Sequence, residues 1–181
     1  MTLSESGELI KSNEYQVGFS PQILFGDERG LNGTVFADYL YNESTSFRAH
    51  LGAGTVDFHT GGSIKFVPFP DIENQPALGV RGGLFLVRDA NESNIAFQLA
   101  PLASKKIESD HGLFTPYGSL AFSYITWREK KRTGTQLIVG SDFQYNKDDE
   151  LKFGAELGIS LNDSYSYILG SFSWTFGSQR R

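Results

Sequence analysis

The sequence predicts an all-β protein, an antiparallel up-and-down barrel of about ten strands, with about eight to twelve compatible with its turn signals. Two observations carry that reading. Apolar and polar residues alternate with period two in segment after segment, as side chains do along an extended chain. Polar turn clusters separate most of these segments: "GDERGLNG", "NEST", "PDIENQ", "RDANES", "KKIESDHG", "REKKRTG", "NKDDE" and "NDS". Composition agrees, because 14% aromatic residues and 20 glycines within 39% hydrophobic content suit strands better than helices.

The segments follow in order. Residues 15–25 place Tyr15, Val17, Phe19, Pro21, Ile23 and Phe25 on one face. Residues 34–41 set Tyr39 and Tyr41 opposite Asp38, and residues 46–53 set Phe47, Ala49, Leu51 and Ala53 opposite Arg48 and His50. In residues 56–66 the apolar parity becomes even, with Val56, Phe58, Ile64 and Phe66. A two-residue hairpin at Gly54-Thr55 produces that flip, pairing Ala53 with Val56 and hence His50 with His59; a β-bulge is the alternative.

Residues 77–87 carry Leu78, Val80, Gly82, Leu84 and Leu86, and residues 94–103 and 116–127 alternate in the same way. Residues 135–145 present Thr135, Leu137, Val139, Ser141, Phe143 and Tyr145. Residues 151–161 present Leu151, Phe153, Ala155, Leu157 and Ile159, and residues 165–176 present Ile168, Gly170, Phe172, Trp174 and Phe176. Pro21 and Pro116 call for bulges or short strands, since a closed sheet has no edge at which to hide a missing donor. The chain divides into a polar N-terminal tail (1–14), a barrel (15–176) and a C-terminal tail (177–181).

The apolar face lacks charge in every segment, whereas Asp38, Arg48, His50, Asp57, His59, Lys65, Arg81, Asp142, Lys152 and Glu156 fall on the other. That other face is otherwise built from small residues such as Gly18, Ser20, Gly52, Gly61, Ser63, Gly79, Gly83, Ser119, Ser123, Gly154, Gly158, Ser171 and Ser173. Small residues suit the crowded interior of a narrow closed sheet. Roughly fifty apolar-face side chains could not fit inside such a barrel, so they point outward into lipid. A soluble barrel or sandwich that binds an apolar ligand is the alternative.

Aromatic residues near segment ends form a candidate interfacial girdle: Tyr15, Phe25, Tyr39, Tyr41, Trp127, Tyr145, Trp174 and Phe176. With this pattern over residues 15–176, the chain resembles the small bacterial outer-membrane β-barrels of the OmpA/OmpX type. The stretch "YILGSFSWTF" resembles the terminal strand by which that class is recognised for insertion, although "GSQRR" follows it here. The resemblance implies a monomer in the bacterial outer membrane. Its partners would be membrane lipids, lipopolysaccharide as a candidate among them, and the outer-membrane insertion machinery. Because "MTLSESGELIKSNE" is polar throughout, a signal peptide is expected to have been removed.

A net charge of −5 and a pI near 5.2 argue against nucleic acid as a partner. The lack of cysteine excludes disulfides, thiolate metal sites and cysteine nucleophiles. No cofactor is expected. The lumen charges form a mixed-sign network that fills a narrow barrel more readily than it selects ions. His50, His59 and Asp57 are weak metal candidates that lack a further close ligand. Ser20, Ser119 or Ser123 beside a histidine would be needed for lipid hydrolysis, but no motif supports it, and no catalytic residue is assigned. Arg128, Lys130, Lys131 and Arg132 cluster in "REKKRTG", which reads as a solvated hairpin tip or as a contact for lipid phosphates. The expected role is structural or surface-interacting, with a narrow channel or a lipid-modifying enzyme as alternatives.

Overall fold

The computed structural model describes residues 5–26, 29–55, 57–89, 92–127, 130–146 and 149–177. The strands are β1 (Tyr15–Phe25), β2 (Gly30–Asn42), β3 (Thr45–Gly54), β4 (Phe58–Phe69), β5 (Ala77–Asp89), β6 (Glu92–Ser104), β7 (Ile107–Ser109), β8 (Gly112–Trp127), β9 (Lys130–Gln144), β10 (Leu151–Asn162) and β11 (Ser166–Phe176). Each pairs antiparallel with its neighbour, and β1 pairs with β11. The result is a closed ten-strand barrel, because β7 continues the line of β6 along β8. The start of β1 and the end of β11 lie side by side at one rim, Tyr15 opposite Phe176, called here the terminal rim.

Prolines explain three of the breaks in the ladders. Lys105 donates its backbone N–H to the Pro116 carbonyl at 3.1 Å, but Pro116 has no N–H to return. At that point β6 ends and β7 begins without a change of register. Pro21 pairs with Gly33 on β2, while the β1–β11 ladder skips from Phe19 to Gln22. Pro101 likewise pairs with Val80 on β5 and interrupts the β6–β8 ladder. Each of these three prolines keeps one flanking ladder and gives up part of the other, so the barrel stays closed.

The sheet is inside-out relative to a water-soluble protein. Leu84 and Trp174 on the outer wall are 58% and 50% exposed, whereas Arg81 and Lys65 in the lumen are 0% and 1% exposed. Of the girdle residues, Tyr15, Phe25, Tyr39, Tyr41, Tyr145, Trp174 and Phe176 face outward. At the terminal rim Tyr15 stacks on Tyr39 at 5.5 Å, and Trp174 stacks on Phe176 at 6.1 Å. The side chain of Trp127 lies outside the described residues.

Four expectations need correction. The chain makes no two-residue hairpin at Gly54-Thr55, where the Thr55 N–H still donates to the Leu31 carbonyl of β2 at 2.9 Å; Val56 lies outside the described residues. The β3–β4 register therefore places His50 opposite Gly61 and Gly52 opposite His59. Asp57 lies in the connecting turn and is exposed, outside the lumen. "REKKRTG" is mostly strand: Lys131 and Arg132 belong to β9 and pair with Thr126 and Ile125. Arg128 lies outside the described residues, as does the side chain of Lys130. Finally, "GDERGLNG" and "KKIESDHG" are not turns throughout, since β2 starts at Gly30 and β7 occupies Ile107–Ser109.

Candidate functional site

Among the described residues, the lumen gathers the largest set of buried charged side chains. Period-two alternation aims Asp38, Arg48, Lys65 and Arg81 inward from four successive strands, β2 to β5. Asp38 and Arg48 are cross-strand partners, and the guanidinium grips the carboxylate through Nε and Nη2, both at 2.6 Å. The same guanidinium lies 4.0 Å from the centroid of the Phe36 ring, a cation–π contact. Lys65 and Arg81 are also direct cross-strand partners, two buried cations face to face. Like charges in that position repel unless a counter-charge lies with them.

The N-terminal segment supplies it. Residues 5–14, read from the sequence as a polar tail, fold back into the barrel. Glu5 pairs with Arg48 at 2.8 Å, with Lys65 at 2.5 Å and with Arg81. Lys65 also donates to the Ser6 carbonyl at 3.1 Å and to the Glu8 carbonyl. The Ser6 hydroxyl donates to Asp142 at 2.6 Å, and the Gly7 N–H donates to the Ser104 hydroxyl at 2.9 Å. Glu8 pairs with Lys106 at 2.7 Å and with Lys152 at 3.4 Å. A tight turn returns the chain to β1, with Asn13 at φ 64° and the Lys11 N–H donating to the Glu14 carboxylate at 3.1 Å.

The segment also brings negative charge into the lumen. Glu5 and Glu8 join Asp38, Asp142 and Glu156 opposite the cations Arg48, Lys65, Arg81 and Lys152. Burial pushes the Glu5 and Glu8 carboxyls up. The cations around them outweigh that effect and hold both below the ordinary value of 4.5: Arg48, Arg81 and Lys65 for Glu5, Lys152 and Lys106 for Glu8.

Beyond the plug, aromatic side chains fill the bore. Tyr117 donates to Glu156 at 2.7 Å, and Tyr167 donates to the other carboxylate oxygen. These rings need room, and a glycine on the neighbouring strand provides it. Gly18 lies opposite Phe36, Gly61 opposite Phe85, Gly140 opposite Tyr117 and Gly158 opposite Tyr167. A Cβ at any of the four would overlap the ring that lies over it. Gly158 therefore makes room for a tyrosine ring, and Gly154 adjoins the Ser171 hydroxyl and Asp142. A cavity of 30 Å³ remains among residues that include Glu5, Arg48, Asp142 and Lys152.

The histidines serve separate partners. His50 bonds Ser63 at 3.1 Å and stacks edge-on against Phe85 at 5.3 Å, while His59 bonds Thr34 at 3.0 Å. With Asp57 outside, the weak metal set does not converge, and no group of three or more such ligands occurs among the described residues. Ser119 and Ser123 donate to the carbonyls of Pro101 and Gly134, at 2.8 and 3.3 Å, rather than to a base. Sequence reasoning missed Glu5, Ser6, Glu8 and Lys106. Charge gave no signal for them, because the inward face read from the sequence holds four cations (Arg48, Lys65, Arg81, Lys152) and four carboxylates (Asp38, Asp57, Asp142, Glu156).

Among solved structures, the chain is similar to the β domain of the Bordetella autotransporter BrkA, at 11% identity and a TM-score of 0.57, covering 90% of this chain and 98% of that one. It is similar to the translocator domain of the autotransporter NalP from Neisseria meningitidis, at 12% identity and a TM-score of 0.51, covering 94% and 90%. A bacterial polysaccharide outer membrane secretin matches at 12% identity and a TM-score of 0.52, covering 92% and 66%. At such identities the likeness establishes the fold, which is that of outer-membrane β-barrels. No family model matches the sequence, and no curated protein does.

Proposed function

We propose that this chain is a small barrel of the bacterial outer membrane that works with its lumen closed, as a structural or surface-interaction protein. The carrying observation is the inversion of polarity: the apolar wall faces out while paired charges, aromatic rings and the chain's own N-terminal segment fill the bore. An outer wall of this kind is stable against lipid and unstable against water. The barrel closes within one chain, with β1 on β11, so a monomer suffices.

Lipids are the first partners of such a wall. Lys131 projects at the rim opposite the termini, where it meets lipid phosphates, those of lipopolysaccharide among them, if the termini are periplasmic. The tyrosines and Trp174 at the terminal rim suit the opposite interface.

Two measurements test the proposal. The full chain should acquire compact β structure only with detergent micelles or lipid vesicles; folding in plain buffer would overturn the membrane reading. Inserted in a planar bilayer, it should give flat current traces. Regular conductance steps would instead favour the narrow channel.

A further inference from the structure

We propose that the lumen contains a binding site for small carboxylate anions, which Glu5 of the chain's own N-terminal segment occupies as a tethered, displaceable ligand. The inference rests on the closed-barrel reading above and names what the closure holds shut.

Three strands build the site before Glu5 enters. Arg48, Lys65 and Arg81 converge from β3, β4 and β5, and all three are buried. Asp38 satisfies the Nε and Nη2 side of Arg48 and leaves Lys65 and Arg81 without a strand-borne counter-charge at their point of contact. A buried pair of uncompensated cations is costly, so the barrel itself calls for an anion there. Glu5 meets that need from outside the strands, on a segment that forms no strand among the described residues.

A second observation shows that Glu5 does not exhaust the site. Arg81 is fully buried, yet Nε, Nη1 and Nη2 all lack a hydrogen-bond acceptor among the described residues, and its contact with the Glu5 carboxylate through Nη2 is an ion pair. The fork therefore offers hydrogen bonds that the present carboxylate does not take, and guanidinium donors of this geometry match a carboxylate held by both oxygens. Size sets the class of ligand. The space of one side-chain carboxyl, together with the adjoining 30 Å³ cavity, admits acetate or a slightly larger carboxylate. A nucleotide would be far too large. Access is from the terminal rim, along the path of residues 5–14.

The Glu5 carboxylate is held by ion pairs rather than by strand pairing, so a free carboxylate can compete for the same cations. Besides the carboxylates of Glu5 and Glu8, residues 5–8 hold the wall through the Ser6 hydroxyl, the Gly7 N–H and the backbone carbonyls of Ser6 and Glu8. A free carboxylate that takes the place of Glu5 removes the three ion pairs that fix its tip.

The test uses the full chain folded in detergent micelles, with acetate as the probe. In the native protein, acetate should speed tryptic cleavage after Lys11 at least fivefold, and chloride at equal ionic strength should not. Isotope-labelled acetate should bind Glu5→Gln at least tenfold more tightly than the native chain, and adding Arg81→Gln should abolish the gain. Equal acceleration by chloride would overturn the proposal, since it would reveal a cationic hollow without selectivity. A folded Glu5→Gln that binds acetate no better than the native chain would also overturn it. If Glu5→Gln does not fold, the cleavage assay on the native chain decides alone. Failure of the closed-barrel reading would be recognised separately, by folding without detergent or by conductance of the native chain.

Discussion

Lys65 and Arg81 stand directly opposite each other on β4 and β5, both buried, and the Glu5 carboxylate pairs with both. Two cations in register would ordinarily count against a strand pairing. Here the pairing and the N-terminal segment depend on each other.

That dependence predicts a reversal of the usual additivity. Glu5→Gln should destabilise the folded barrel by about 3 kcal/mol, because it leaves buried cations unpaired. Lys65→Met added to Glu5→Gln should restore part of the loss, since it removes the repulsion. Urea unfolding midpoints in micelles measure both, and a double variant weaker than Glu5→Gln alone would contradict the arrangement.

The glycine seats predict a position-specific intolerance. Gly158→Ala pushes a methyl group into the Tyr167 ring and should cost about 2 kcal/mol. Gly170 on β11 has open space where its Cβ would be, so Gly170→Ala should change stability little. Equal effects of the two substitutions on the unfolding midpoint would refute the packing described.

Glu156 predicts a polar requirement in the bore. Tyr167→Phe removes the hydroxyl that donates to one carboxylate oxygen and should cost about 2 kcal/mol. Tyr117→Phe should cost a similar amount through the other oxygen. Unchanged thermal unfolding in either variant would show that the hydroxyls do not hold the carboxylate.

Acidity should loosen the plug. Glu5 and Glu8 have carboxyls held below 4.5, so their ion pairs contribute full stability above that value. The contribution falls as pH drops below 4.5 towards the depressed folded values, where the carboxylates take up protons and the pairs with Arg48, Lys65, Arg81, Lys106 and Lys152 are lost. Amide hydrogen exchange of residues 5–10 should therefore accelerate from pH 4.5 downward, beyond its intrinsic pH dependence. Protection that grows on acidification would reverse the sign and contradict the ion-pair account.

Much of this fold was legible because period two is unambiguous: Leu151, Phe153 and Ile159 could share only one face, and Lys152 and Glu156 only the other. Register was less legible. Pairing His50 with His59 or with Gly61 leaves every side chain on the same face, so alternation cannot distinguish them; the Thr55–Leu31 bond does. The plug was illegible for a different reason. "ESGELIKSN" has no strand period, and its partners Arg48, Asp142 and Lys152 are distant in sequence. Charge did not betray it either: the inward face read from the sequence balances four cations with four carboxylates, and a spare cation appears only once the structure places Asp57 outside the lumen.

The central claim, that the barrel is closed by its own N-terminal segment, can be tested by one cross-link. The chain has no cysteine, and a Cβ at Gly7 would lie 2.9 Å from the Ser104 hydroxyl, so Gly7→Cys with Ser104→Cys brings two thiols within bonding reach. Folded in lipid vesicles and mildly oxidised, this variant should form the intramolecular disulfide nearly completely, while Gly7→Cys with Lys131→Cys should not. Absence of the Gly7–Ser104 cross-link in the folded protein would mean that the segment does not lie in the lumen.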